Sequence, residues 1–262
     1  MQSHLNSELE YDYNMKHLVY TLLVFVLFSC DNEAGWGCIQ TSGPSVVDEL
    51  TVEPFDKILV NRDIELVIRQ GEAYNVEIQT GQNLRSGIEV SVVENQLQLT
   101  DRNSCNFVRD YGLTKISVTT PTLKEIRSST QYLTSSDGAL NFENLTLLCE
   151  NYNSDYLSIG DFKMTVNTQT LRVVANNLSE FTIEGSVEHL IIGFYAGLCQ
   201  FNGAELSAQN VTVFQRSSHD ITVKPLQSLE GEIRSVGNVI SIHTPPVVDV
   251  QEYYSGRLVF LD

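Results

Sequence analysis

Between Leu145 and Ile242 a short apolar phrase recurs about every twenty residues, starting at Leu145 (LTLLC), Leu171 (LRVVA), Leu190 (LIIGF), Val211 (VTVFQ) and Leu229 (LEGEI), with spacings of 26, 19, 21 and 18 residues. Within each phrase the apolar residues alternate, which is the period of a strand with one buried face. Numbered from its start, position 1 is Leu145, Leu171, Leu190, Val211 and Leu229; position 3 is Leu147, Val173, Ile192, Val213 and Gly231; position 5 is Cys149, Ala175, Phe194, Gln215 and Ile233. All of these but Gln215 and Gly231 are apolar, so they are the inward set. A second pulse follows each phrase (Leu157/Ile159, Phe181/Ile183, Phe201, Ile221/Val223, Ile240/Ile242), and turn-forming Asn, Ser, Gly and Asp lie between pulses. Two or three short strands per period, each period too small for a core of its own, predict stacked rungs. The fold class is therefore all-β, a single-stranded β-helix or β-solenoid taken as right-handed, with a β-sandwich as the alternative. Leu123 to Asn144 reads as an earlier, weaker rung, Pro245-Pro246 as the end of the array, and Arg257 to Leu261 as a strand capping its edge.

Upstream, Phe55 to Thr120 alternates as consecutive strands: KILVNRDIELVIRQG, YNVEIQTG, GIEVSVVENQLQLTD and KISVTTP. Gln70-Gly71, Thr80-Gly81, Glu94-Asn95 and Pro121 supply the turns. The ordered phrases FDKILVNRDIELVIRQG, VEIQTGQNL, GIEVSVVENQLQL and KISVTTPTLKEI resemble the head GIN domain, a family of unknown function associated with auto-transporter adhesins in envelope proteins of Bacteroidota. The likeness covers about residues 52 to 245. Where relatives usually carry a small-residue phrase such as LSGAS, this chain reads ENYNS, ANNLS, FYAGL, QRSSH and IRSVG. The resemblance implies an adhesin-like envelope protein and brings no catalytic residues.

Met15-Lys16-His17 leads into an apolar run from Leu18 to Phe28 and then Ser29-Cys30. That run is shorter than the roughly 20 residues a spanning helix needs and suits a cleavable signal. Leu27-Phe28-Ser29-Cys30 resembles a bacterial lipobox, which makes Cys30 the acylated first mature residue; a retained membrane anchor or an ordinary secretory signal is the alternative. Asp31, Asn32 and Glu33 resemble the acidic export signal of surface lipoproteins. The organisation expected is a signal peptide over 1–29 (with Met15 as a possible true start), a lipidated tether over 30–51, and one solenoid domain over 52–262. That domain divides into N-terminal strands 52–122, repeats 123–245 and a C-terminal cap 246–262.

Charge narrows the partners. With 33 acidic against 16 basic residues the formal net charge is -17, which opposes nucleic acid and anionic membrane surfaces. His189, His219 and His243 lack zinc-ligand spacing, so no metal and no cofactor is expected. Asp155/Asp161 and Glu180/Glu184 are the carboxylate pairs that could line a sugar cleft, but no base accompanies them and no catalytic residue is assigned. Cys149 and Cys199 fall two rungs apart, roughly 9 to 10 Å at strand spacing. This exceeds the reach of a disulfide, so both read as buried free thiols, while Cys38 with Cys105 is a possible bridge. Asn144, Asn177 and Asn210 begin N-glycosylation sequons that read more simply as turn asparagines.

Positions 2, 4 and 6 should point outward, yet they include Leu148, Val174, Ile191, Tyr195 and Phe214. These five are the candidate partner-contact face, covered by the first section or by another subunit. Tyr152, Tyr156, Tyr195, Phe194 and Phe201 could stack on sugar rings where exposed, the phenylalanines being better suited to the interior. The sequence thus predicts an outer-membrane lipoprotein, anchored through Cys30, at the cell surface rather than on the periplasmic face. Its domain is non-catalytic, binds a protein or glycan and can self-associate. The alternatives are a β-helical carbohydrate-active enzyme and a periplasmic sensor or assembly module.

Overall fold

The computed structural model describes residues 39–103, 105–150 and 158–261. The signal segment, Cys30, Cys38, Tyr152, Asp155 and Tyr156 lie outside them. Alternating sequence becomes strand throughout: β1 (Ser45–Thr51), β2 (Lys57–Asn61), β3 (Ile64–Gln70), β4 (Asn75–Gly81), β5 (Ile88–Val93), β6 (Gln96–Asp101), β7 (Thr114–Thr120), β8 (Glu125–Ser129) and β9 (Thr134–Leu140). There follow β10 (Asn144–Cys149), β11 (Phe162–Ala175), β12 (Leu178–Phe194), β13 (Leu198–Gln215), β14 (Ile221–Ile233), β15 (Val239–Ser241), β16 (Val247–Glu252) and β17 (Leu258–Phe260). The described residues contain no α-helix, only a short 3-10 turn at Arg85–Gly87. The protein is all-β.

Contacts divide the chain into a small unit, Met1–Thr41 with Ser104–Arg109, and a large unit containing every strand. In the small unit the Asn106 side chain holds its own turn, accepting from the backbone N–H groups of Val108 at 3.2 Å and Arg109 at 2.9 Å. Cys105 is disulfide-bonded, and neither Cys149 nor Cys199 is its partner, since both are free.

In the large unit, strands β11 to β14 are long enough to contribute to two sheets each. Their first halves pair with one another and with β9, and their second halves with one another and with β10, all in parallel. The first sheet runs β1-β4-β7-β3-β9, then the first halves of β11 to β14, then β15 and β17. The second runs β5-β6-β2-β8-β10, then the second halves, then β16. Parallel pairing demands that each strand return by a crossover; here the two halves of each long strand pair in the two sheets in turn.

The five phrases stack in register. Leu145, Leu171, Leu190, Val211 and Leu229 are successive pairing partners, and every inward position except Gly231 is buried. Gln215, fully buried, is tolerated because its amide donates to the carbonyl of His219 at 2.6 Å and accepts from the N–H of Ser217 at 3.0 Å. On the facing sheet the inward column is Phe162, Phe181, Phe201, Ile221, Val239 and Leu258. The rings of Phe162 and Phe181 stack at 4.8 Å, and Phe181 meets Phe194 of the second sheet at 5.9 Å, so the two inner faces share one core.

Three expectations need correcting. The partner of Phe181 is Phe162, whereas Ile159 forms only an isolated bridge to Leu178; the 26-residue spacing carries an insertion after Cys149 that displaces the second pulse. Ile240 faces outward, and Val239 and Ser241 are the buried pair. The array also continues past Pro245-Pro246, with β16 joining β14 and β17 joining β15 in parallel. The prolines sit at the corner between sheets, where no ladder N–H is needed, so pairing does not stop at them.

The first section extends the same two sheets. Its order along them departs from chain order, since β2 and β3 lie between β6/β7 and β8/β9. The β5–β6 hairpin closes through Glu94 (φ 50) and Asn95 (φ 62), both left-handed as a two-residue hairpin of this twist requires.

A polar knot replaces apolar packing at this end. Asp101, buried, accepts from the Asn103 backbone N–H at 2.7 Å and side-chain amide at 2.8 Å, and from the Thr114 hydroxyl at 3.1 Å. Burial raises its carboxyl above the ordinary aspartate value, against the lowering effect of those bonds. Between the unfolded and folded pKa values the folded chain binds the extra proton, so Asp101 subtracts stability as pH rises through the folded value and ceases to do so as pH falls back through it. Asp101→Asn, whose amide can keep the same partners, is expected to be more stable relative to wild type at pH 7 than at pH 3.5. A urea midpoint difference that does not change with pH would contradict this.

Candidate binding face

Among the described residues no three His, Cys, Asp and Glu side chains gather in a way that could hold a metal ion, and no helix is long and apolar enough to cross a membrane. Glu180 and Glu184 share the outer face of β12, four residues apart, which is roughly 13 Å along a strand. Glycosidase carboxylates stand closer than about 10 Å. Glu184 instead accepts from the Thr165 hydroxyl at 2.7 Å, and Asp161 accepts from the backbone N–H of Glu180 at 3.0 Å. His219 lies exposed in the turn after β13, its backbone N–H bonded to the Ser217 hydroxyl at 3.1 Å.

The two free thiols are interior. Burial raises Cys149 to about 12 and raises Cys199 as well. They are packing groups at neutral pH and poor nucleophiles.

What remains is the outer face of the second sheet. The strand period places Arg172 and Val174 of β11, Ile191 and Gly193 of β12, Thr212 and Phe214 of β13, Glu230 and Glu232 of β14, and Asp249 and Gln251 of β16 in two outward columns. The five predicted face residues do not share one environment. Leu148 and Val174 are buried at 7% and 6% exposure, Ile191 and Phe214 are half-buried, and Tyr195 is 43% exposed. Leu148 pairs with Arg127, whose guanidinium reaches Glu150 at 3.3 Å. Strands of the first section continue this face toward Leu59 and do not cross it.

Tyr195 and Phe214 are brought together, ring centroids 5.2 Å apart. Gly193 makes this possible: a Cβ there would lie 3.0 Å from the tyrosine ring and hydroxyl, so its absence lets the ring fold flat over the strand. Sequence reasoning missed two members of the cluster. Arg234 lies over the Tyr253 ring at 4.1 Å and over Phe214 at 6.0 Å while pairing with Glu232. The signal was available: residues one step past position 5, namely Tyr195, Arg216 and Arg234, recur as large side chains, and the pattern ends with Tyr253 once the extra rung is recognised. Phe194 and Phe201, in contrast, are wholly interior.

The described residues form an all-β stack whose outer face carries the rings of Tyr195, Phe214 and Tyr253. The chain belongs to the family described as "Putative auto-transporter adhesin, head GIN domain", which matches residues 54–245. Its fold is similar to that of a "putative adhesin" from Bacteroides fragilis NCTC 9343, with a TM-score of 0.75 at 19% identity over 85% of this chain and 100% of that one. It is also similar to a "putative lipid binding protein" from Parabacteroides distasonis ATCC 8503, with a TM-score of 0.61 at 15% identity over 84% and 98% of the two chains. A "putative adhesin" from Parabacteroides merdae ATCC 43184 matches with a TM-score of 0.54 at 14% identity over 84% and 97%. None of the curated proteins matches.

Proposed function

We propose that this chain is a non-catalytic adhesive module, a β-solenoid held at the bacterial outer membrane by acyl groups on Cys30 and displayed at the cell surface. The observation that carries this reading is the contrast between the two kinds of outward surface. Polar side chains of the first sheet bond to one another across rungs, as Thr165 does to Glu184 and Ser186 to Asn167 at 3.0 Å, whereas the second sheet presents rings to solvent. Exposed aromatic faces cost hydration free energy and are retained where something covers them. Membership of an adhesin family supports the role, and the lipobox at Leu27 to Cys30 with the acidic residues behind it supports the address.

Protease treatment of intact cells tests the display. The domain should be lost from intact cells, and Cys30→Ser should move the chain out of the membrane fraction. Full protection until the outer membrane is opened would count against surface display and favour a periplasmic role.

A further inference from the structure

Residues that follow the second-sheet strands form a column of their own. Asn176, Tyr195, Arg216, Arg234 and Tyr253 donate their backbone N–H groups to Cys149, Ala175, Phe194, Gln215 and Ile233 respectively, each one rung back, at 3.4, 3.0, 2.8, 2.7 and 2.8 Å. Their side chains therefore rise along one edge of the outer face at rung spacing. From Tyr195 to Tyr253 is three rungs, about 14 Å.

The column combines rings with guanidiniums. Tyr195 is laid flat by Gly193 against Phe214, and Tyr253, 57% exposed, carries the Arg234 guanidinium on its ring. Glu232 occupies Arg234 as a partner. Arg216, between Tyr195 and Arg234, is exposed and makes no side-chain hydrogen bond or ion pair among the described residues. In a chain with about twice as many acids as bases, an unpaired guanidinium one rung from the Tyr195 ring is the feature that points to a ligand. Glu230 and Asp249 lie in the farther outward column, and Glu232 is taken up by Arg234, so the Arg216 charge stands without a carboxylate partner among the described residues.

We infer that this edge binds a carboxylate-bearing glycan, an oligosaccharide with one uronate among neutral sugars, lying along the rungs. This rests on the adhesive reading above and names the ligand class for it. The apolar C–H face of a pyranose ring stacks on Tyr195 and Phe214, and the carboxylate takes the forked donors of Arg216, which match its geometry. Arg234, paired with Glu232, holds the Tyr253 ring as a further stacking face. A single-stranded nucleic acid also uses rings and arginines, but it presents a phosphate at every unit, which one unpaired guanidinium on a chain of charge -17 does not balance; a glycan with a single uronate asks for one such partner. A neutral glycan would leave Arg216 without a partner.

The test is titration of the full chain with a neutral-sugar oligosaccharide ending in one glucuronate and with its carboxyl-reduced counterpart, read by calorimetry. The glucuronate-bearing sugar is expected to bind at least tenfold more tightly than the reduced sugar and to weaken with added salt. Arg216→Gln should remove that preference, and Tyr195→Ala should weaken both sugars at least tenfold. Gly193→Ala, which leaves the strand extended but displaces the ring, should reproduce the loss seen in Tyr195→Ala. Thermal unfolding checks that each variant is folded. Equal binding of charged and reduced sugars, an unchanged Arg216→Gln, or tighter binding of a single-stranded oligonucleotide would overturn the assignment. If no sugar binds while beads carrying the chain still adhere to envelope or mucin surfaces, the ligand class fails and the adhesive reading stands; if nothing is retained, both fail.

Discussion

Gly231→Val is expected to lower the unfolding free energy by about 3 kcal/mol or more, even though it restores the apolar residue that the other four repeats carry at the same position. Gly231 adopts φ 138, a conformation that side-chain-bearing residues rarely take. A Cβ built there would fall 1.9 Å from the carbonyl oxygen of Val213 in the neighbouring rung. Backbone strain alone costs about 1–3 kcal/mol, and the parallel ladder must also part to admit the side chain. Gly185, at φ 114 with its Cβ position 2.1 Å from the Val166 carbonyl oxygen, repeats the arrangement in the first sheet. Urea unfolding of the variant measures the loss. A midpoint equal to or above that of wild type would show that the rung can relax around a side chain there and that the close approach is not a constraint.

Phe181→Ala should cost about 3–5 kcal/mol, the range for deleting a fully buried aromatic ring. Phe181 is the ring that joins the sheets: it stacks on Phe162 one rung back and contacts Phe194 across the core. A stack of rungs is stabilised by nearest-neighbour interfaces, so the cavity weakens the Phe162 and Phe201 rungs together. Calorimetry should show a lower and broader transition. Loss of less than about 1 kcal/mol would mean that the neighbouring rings collapse into the space, and the shared core would then be looser than its contacts imply.

The rungs were legible in the sequence because twofold alternation and turn residues are local properties, and the positions that alternate from Leu145 to Ile233 are those that pair. The placement of Phe162 was not legible, because nothing local tells how many residues an insertion absorbs before the strand resumes. The interleaving of β2/β3 between β6/β7 and β8/β9 was hidden for a related reason: each strand has an acceptable pattern, and only long-range packing decides its neighbours. Pro245-Pro246 signalled an end by their missing donors, yet a corner between sheets tolerates them equally well. The face at Tyr195 and Phe214 was visible as outward apolar residues. Arg234 and Tyr253 were not, because a ring and a guanidinium one rung apart show no kinship until register is known. Leu148 and Val174 illustrate the converse, outward by alternation and buried in fact.

Retention of beads carrying the full chain on an envelope- or mucin-coated surface, compared between variants of the two outer faces, tests the central claim most directly. Phe214→Glu, on the second sheet, is expected to release the beads, while Glu184→Ala, on the first, leaves them bound and both variants stay folded. Release by Glu184→Ala with retention by Phe214→Glu would contradict the account and move the adhesive surface to the other sheet.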